Sequence, residues 1–457
     1  MTTVEGPPAQ RRATYRASGQ PKRGRFPVRT SLVIGCVALL GWWWLGTPAG
    51  AVTTPGGAVL AFGELAGLLG SFLVVAQLLL VARVPWFERS VGFDRLVSWH
   101  RSLGTSVVLL VVSHALAMVV GGMFVDNATP WDEVMAMLRT YPDMLTALAG
   151  TTVFVVVGMS GARVFRRRLS YEWWFLIHLT VYGGVFLAFF HQVSAGAHLA
   201  RSPMARAAWI ALYAATAAAV IWYRALVPAV RFAFSGMRVE QVVREAAGTT
   251  SVWLHGRNVD RLGGTAGQFF LVRFLARGHL LTAHPYSLSV VPADRRVRFT
   301  IGALGDHSGA VRRLRPGTWV FLEGPFGRFT AERARSSRVL LVAGGAGIGP
   351  VRALAEHLYS GGRDVVVVHR AHSADHLALS GEFTEVDRLR YVPLPGRRVE
   401  LGYDPLSPHR LGLLVPDVKR RDVFICGPEG MTTTVVRALR ALGVPRSAIH
   451  TEELSLA

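Results

Sequence analysis

Six stretches of predominantly apolar residues lie between residues 29 and 228, and they restrict the fold more than any other feature. A helix of about 20 such residues crosses the hydrocarbon of a bilayer, because lipid leaves every backbone amide to be satisfied within the segment. The runs fall at 29–46, 58–84, 95–122, 144–164, 170–194 and 205–228. After residue 229 the composition turns into that of an ordinary α/β protein. A six-helix transmembrane bundle followed by soluble domains is the expected plan.

The net charge of +21 raises the question of nucleic acid, but the basic residues flank the apolar runs and form no single face. No nucleic-acid partner is expected. The stretch from Arg11 to Arg29 carries seven Lys and Arg among Pro and Gly. Residues 1–28 therefore read as a disordered cytoplasmic tail attracted to anionic membrane lipid. Arg83, Arg89 and Arg95 lie between the second and third runs, and Arg163, Arg166, Arg167 and Arg168 between the fourth and fifth. The loop between the first and second runs, GTPAGAVTTPGGA, has no basic residue. Cytoplasmic loops are the ones enriched in Lys and Arg. Both termini and the soluble half are thus expected on the cytoplasmic side of a plasma (inner) membrane. Two cysteines, Cys36 and Cys426, are too few for a disulfide framework.

The third run, WHRSLGTSVVLLVVSH, begins and ends near a histidine, His100 and His114. Their fourteen-residue separation is about 21 Å along a helix and returns to nearly the same face. The fifth run places His178 and His191 at matching depths. Ionisable groups in a bilayer are costly, so four of them at matched depths on two helices imply a task. Two imidazoles facing across a gap are axial ligands for a haem iron, and the pattern predicts one haem per leaflet.

One point of geometry resists, since His178 and His191 would stand roughly 140° apart on an ideal helix. Either the Gly183–Gly184 pair allows a distortion, or the two haems lie on different flanks. Arg95, Arg101 and Arg168, at the inner membrane level, could pair with haem propionates or simply anchor the helices. His198 is too far along to share the inner pairing. Glu64 sits near the outer end of the second run, either wetted by solvent or beside the outer haem.

Residues 233–333 alternate apolar and polar positions between turn signals and read as a small antiparallel β-barrel. Within them HPYSLS offers His284, Pro285, Tyr286, Ser287 and Ser289. A flavin needs such groups: an aromatic against its ring, a hydroxyl for a ring nitrogen and a donor for phosphate. The stretch GDHSGAVRRL opens a short helix whose amides, with Gly305 and Ser308, could hold a pyrophosphate.

Residues 337–457 read as an α/β domain on a parallel sheet. A strand leads into the turn Gly344, Gly345, Gly347, Gly349 and Pro350, where the backbone can approach a pyrophosphate at a helix N-terminus. Cys426, Gly427, Pro428 and Glu429 form a second such turn. Two Gly-rich turns at successive strand ends make an open nucleotide site. Arg370 ends the intervening strand, where a 2′-phosphate would sit, which favours NADPH over NADH. Cys426 falls where the nicotinamide would lie, and either shapes that pocket or is a small buried hydrophobe.

Together these parts resemble the NADPH oxidase/ferric reductase superfamily over residues 30–457. That family's His-x13-His and His-x12-His spacings are matched by His100/His114 and His178/His191. Its flavin motif, His-Pro-(Phe/Tyr)-(Ser/Thr), is matched by His284–Ser287, and its nucleotide motifs by Gly344–Pro350 and Cys426–Met431. The resemblance implies FAD, two b-type haems and NADPH as cofactors, with no catalytic side chain beyond them. It implies electron passage from cytoplasmic NADPH to an acceptor outside, oxygen or a ferric chelate. A haem relay fed by a protein such as ferredoxin is the alternative, and an ion-coupled transporter the more distant one. Related chains often end in an aromatic that covers the flavin, whereas Leu454 stands near that place here.

Overall fold

The computed structural model describes residues 28–453 apart from 281, 385, 387 and 388. The basic tail up to residue 27 and Leu454 lie outside the described residues. Within them, six helices are long and apolar enough to cross a membrane: Val28–Gly46, Pro55–Val81, Arg95–Asp126, Met144–Gly161, Tyr171–Ala195 and Pro203–Ser235. They correspond to the six expected runs, and the ends follow local chemistry. Thr54 caps the second span by accepting from the Gly57 amide, ahead of Pro55. The sixth continues past residue 228, where the apolar run stops. Pro228 cannot donate to an α-helical ladder; a π-helical turn over Trp222–Leu226 precedes it and takes up the mismatch. The helix then ends after Ser235, with Gly236 in the left-handed region at φ +54.

Small residues set the closest approaches in the bundle. A Cβ on Gly63, Gly67 or Gly70 of the second span would press on the third span, at Met118 and Ala117, His114 and Leu110 respectively. Those glycines let the two backbones lie close. Gly150 and Gly184 do the same between the fourth and fifth spans.

Two sheets follow. The first is antiparallel, built from β1 (Arg238–Ala246), β2 (Thr249–His255), β3 (Phe269–Phe274), β4 (His284–Ala293), β5 (Arg296–Gly302) and β6 (Val320–Phe326). Its order is β1-β2-β5-β4-β3-β6. The two edges meet at one bridge, Arg238 with Trp319, with Val239 N–H donating to Thr318 O and Val320 N–H to Met237 O. Val252, Leu254, Phe270, Leu288 and Phe299 fill its interior.

The second sheet is parallel: β7 (Arg338–Gly344), β8 (Asp364–Arg370), β9 (Leu389–Leu394), β10 (Asp422–Gly427) and β11 (Ile449–Glu453). Its order β9-β8-β7-β10-β11 reverses direction between β7 and β10. In open α/β sheets that reversal opens a crevice at the strand C-termini.

The membrane and soluble halves touch through aromatic and charged side chains. Phe93, which opens the third-span helix, stacks on Phe326 at 5.1 Å and meets Phe269 edge-on at 5.8 Å. Arg83 pairs with Glu323 of β6, and Arg231 donates to the Gly324 carbonyl. The His100 end of the third span is therefore the end beside the first sheet, and the His114 end is remote from it.

Candidate functional site

Between the spans, the four histidines come together as two pairs. His100 and His178 have ring centroids 5.9 Å apart, and His114 and His191 6.4 Å. The fifth span achieves this by a break, but not at the glycine pair. Its helix stops at Leu179 and restarts at Val181, with the Thr180 hydroxyl and amide both donating to the Ile177 carbonyl. Gly184 instead packs against Gly150. The break lies between His178 and His191, and both imidazoles meet partners on the third span.

The third-span imidazoles are oriented from the second span. His114 Nδ1 lies 2.8 Å from the Gly63 carbonyl and His100 Nδ1 3.3 Å from the Gln77 carbonyl. A carbonyl only accepts, so each Nδ1 carries the proton and each Nε2 keeps its lone pair. Gly67 leaves the space against which the His114 ring lies. The Gln77 side chain closes the inner contact by donating to the His100 carbonyl at 2.9 Å.

These residues fit a haem iron. Bonds of about 2 Å on either side of a metal, plus about 1 Å from each nitrogen to its ring centre, put two trans imidazoles about 6 Å apart. Both pairs have that separation, and His191 Nδ1 is buried without a hydrogen-bond partner. Arg95, Arg101 and Arg168 are exposed. The charge of Arg224 reaches His100, and its guanidinium donates to the Val81 carbonyl at 3.3 Å. Sequence analysis did not single it out, although it lies within the sixth apolar run.

The two flavin-type motifs also meet. His284–Ser287 lie on β4, paired with β3 alone, so Pro285 interrupts no second ladder. The His284 ring lies 4.5 Å from that of His307, which precedes Ser308 in the short helix Asp306–Ala310. His279 also packs on His307, edge-on at 4.5 Å. Burial and the two neighbouring imidazoles push His284 down to about 4. His284 Nε2 and His307 Nδ1 are buried with no partner, which suits donors for a phosphate-bearing cofactor. His279 and His307 were not legible as members, since nothing in their spacing links them to His284. The charge of Glu172, in the first turn of the fifth span, reaches His307 and His284. From there Trp174 stacks on His178 at 5.2 Å, so the motif lies at the inner imidazole pair's end of the bundle.

Ser308 and Ser289 are engaged elsewhere. The Ser308 oxygen accepts from the Leu304 and Gly305 amides and shapes its own turn. Ser289 is fully buried; its hydroxyl takes hydrogen bonds from Arg298 and Thr300 and donates to the Arg298 carbonyl. Arg298 is in turn bidentate to Glu382 at 2.6 and 3.0 Å, and Arg352 joins the same carboxylate at 2.7 Å. Ser289 therefore belongs to the network that fastens the first sheet to the second domain.

At the nucleotide turns the backbone carries the geometry. Gly345 has φ +54, and a Cβ on Gly347 would collide with the Cys426 carbonyl across the β7/β10 reversal. Gly349 packs on Thr300 of β5, and Pro350 is buried in the helix Ile348–Ser360 that follows. Gly344 and Gly427 face the Met431 side chain, while Pro428 and Glu429 open the helix Glu429–Ala441. Cys426 is fully buried and burial pushes its thiol well above the ordinary range, so it sits as a protonated core residue. Arg370 ends β8, with one nitrogen donating to the Leu394 carbonyl at 2.8 Å, and Arg398 lends further positive charge beside it.

Residues 66–189 match the family described as ferric reductase like transmembrane component. The chain carries a ferric reductase-like transmembrane domain. It is a multi-pass membrane protein with a module homologous to reductase components. The reductase subunit of stachydrine N-demethylase from Rhizobium meliloti is 28% identical over 41% of this chain and 58% of its own length. The flavohemoprotein of Chromobacterium violaceum is 29% identical over 41% of this chain and 52% of its own. The ferredoxin reductase component of 3-ketosteroid-9-alpha-monooxygenase from Mycolicibacterium smegmatis is 28% identical over 47% and 64%. The chain thus spans between half and two thirds of the length of these relatives. Among solved structures, a ferredoxin NADP+ reductase from Neisseria gonorrhoeae with bound FAD and NADP aligns at TM-score 0.41 and 16% identity, over 48% of this chain and 98% of that one.

Proposed function

We propose that this chain is a membrane oxidoreductase of the plasma (inner) membrane, with both termini cytoplasmic. It would pass electrons from cytoplasmic NADPH, through FAD and two b-type haems, to oxygen or a ferric chelate outside. The observation that carries this reading is the pair of facing imidazoles at each of two depths, 5.9 and 6.4 Å apart, on a bundle docked to a flavin-type sheet. When bound, the flavin divides a two-electron hydride into single electrons and the haems carry them one at a time.

The chain supplies position and orientation. Gly63 and Gln77 carbonyls fix the His114 and His100 rings with Nε2 free to ligate. His191 and His178 face them from the other span. His284, Tyr286 and His307 would hold FAD, a reading supported by their close-packed rings, and Gly345 and Gly347 would let a pyrophosphate approach the β7/β10 crevice. Arg370 would read the 2′-phosphate of NADPH. The direct test uses sealed vesicles of the purified chain, with NADPH on the side of the soluble half and an impermeant ferric chelate enclosed. NADPH should be consumed as ferrous iron accumulates inside or oxygen is reduced there; if neither acceptor is reduced across the bilayer, the reading is contradicted.

A further inference from the structure

At the end of the bundle remote from the soluble half, His198 and Glu64 face each other with Nε2 3.6 Å from Oε2. That separation is longer than a hydrogen bond, and His198 Nε2 is buried with no hydrogen-bond partner. The His198 side chain is only 9% exposed, whereas Glu64 is 33% exposed and reaches solvent. The imidazole is seated: a Cβ on Gly46 would fall 2.7 Å from its Nδ1, and the Trp42 ring lies 5.5 Å away. The end of the first span, the second span and the segment between the fifth and sixth therefore all fix this one ring.

Two donors bound at about 2.1 Å to one tetrahedral ion stand about 3.4 Å apart. The His198–Glu64 separation has that bite, and imidazole with carboxylate suits first-row divalent ions. We propose that Glu64 and His198 form a two-ligand site for a divalent transition-metal cation, its other positions left to water or to a chelator. Among the described residues no group of three or more His, Cys, Asp and Glu could hold a metal ion, so this would be an open, exchanging site. Arg201 lies near His198, donating to the Gly46 carbonyl at 3.5 Å, and its charge favours a cation that arrives with anionic chelating groups. Glu64 follows Gly63, whose carbonyl orients His114, and its charge reaches that ring. A cation here stands beside the outer imidazole pair.

The test titrates Zn2+ into the full haem-loaded chain in detergent, by calorimetry, with Co2+ absorption as a second probe. Glu64→Gln and His198→Gln should each weaken one zinc site at least about tenfold, the loss typical of changes around a metal. Gly46→Val, which displaces the ring without touching either ligand, should do the same. Haem spectra identical to the parent's show that each variant is folded. Parent-like zinc stoichiometry and affinity in all three folded variants would overturn the site. Binding needs no electron transfer, so failure of NADPH to reduce the haems would count against the proposed function and not against this site.

Discussion

In the membrane half the candidate chemistry stands on single side chains, each fixed by a neighbouring helix: His114 by Gly63, His100 by Gln77. In the nucleotide domain it stands on the backbone, at Gly345 and Gly347, while nearby side chains hold the domain together. Hydrocarbon makes an imidazole so costly that its presence already indicates a task. A serine, arginine or cysteine in a soluble α/β domain has many ordinary uses. Residue type is therefore strong information in one half and weak in the other.

Substitutions can break this contrast or sharpen it. The largest effect is expected from His191→Leu, which should remove one haem per chain and abolish reduction of an outside acceptor. NADPH-to-flavin hydride transfer should survive, and a variant that still binds two haems would reject the pairing with His114. Next comes Glu382→Ala, which removes the carboxylate partner of Arg298, a residue only 3% exposed. Leaving a buried charge without its partner costs about 3 kcal/mol or more. Thermal unfolding of the soluble half should shift down accordingly, with haem content unchanged; an unshifted transition would deny the network its role.

The six spans were legible because apolar length is a physical requirement of the bilayer, and the imidazole pairs because their depths matched. The route by which His178 and His191 reach one partner helix was not. Helical periodicity placed them apart, and the break falls at Thr180, a residue with no strong breaking signal, while the adjacent glycines turned out to serve packing. The two sheets followed from alternation and Gly-rich turns. Ser289 looked like a cofactor ligand because it ends HPYSLS, yet with Leu288 in the sheet's interior it lies on the opposite face, towards Arg298 and the second domain. Cys426 was read as either a nicotinamide neighbour or a small buried hydrophobe, and it is buried in the core.

Arg370→Ala should raise KM for NADPH far more than for NADH. A hydrogen bond to a charged group contributes roughly 1.5–3 kcal/mol, or about ten- to a hundredfold. Equal effects on both nucleotides would remove Arg370 from the 2′-phosphate. The smallest change is Ser289→Ala, which should leave FAD affinity as it is and cost about 1–2 kcal/mol of stability through the Arg298 hydrogen bond. A clear loss of FAD affinity without destabilisation would return Ser289 to the cofactor site.

If the two imidazole pairs hold haems, those haems receive electrons from NADPH through the flavin. The purified chain, loaded with FAD and haem and kept free of oxygen, should be mixed with NADPH while its absorption spectrum is followed. Reduced low-spin haem bands with the intensity of two bis-histidine haems per chain are expected. Flavin bleaching with no change at the haem bands, or a spectrum with one haem or none, would contradict the proposal.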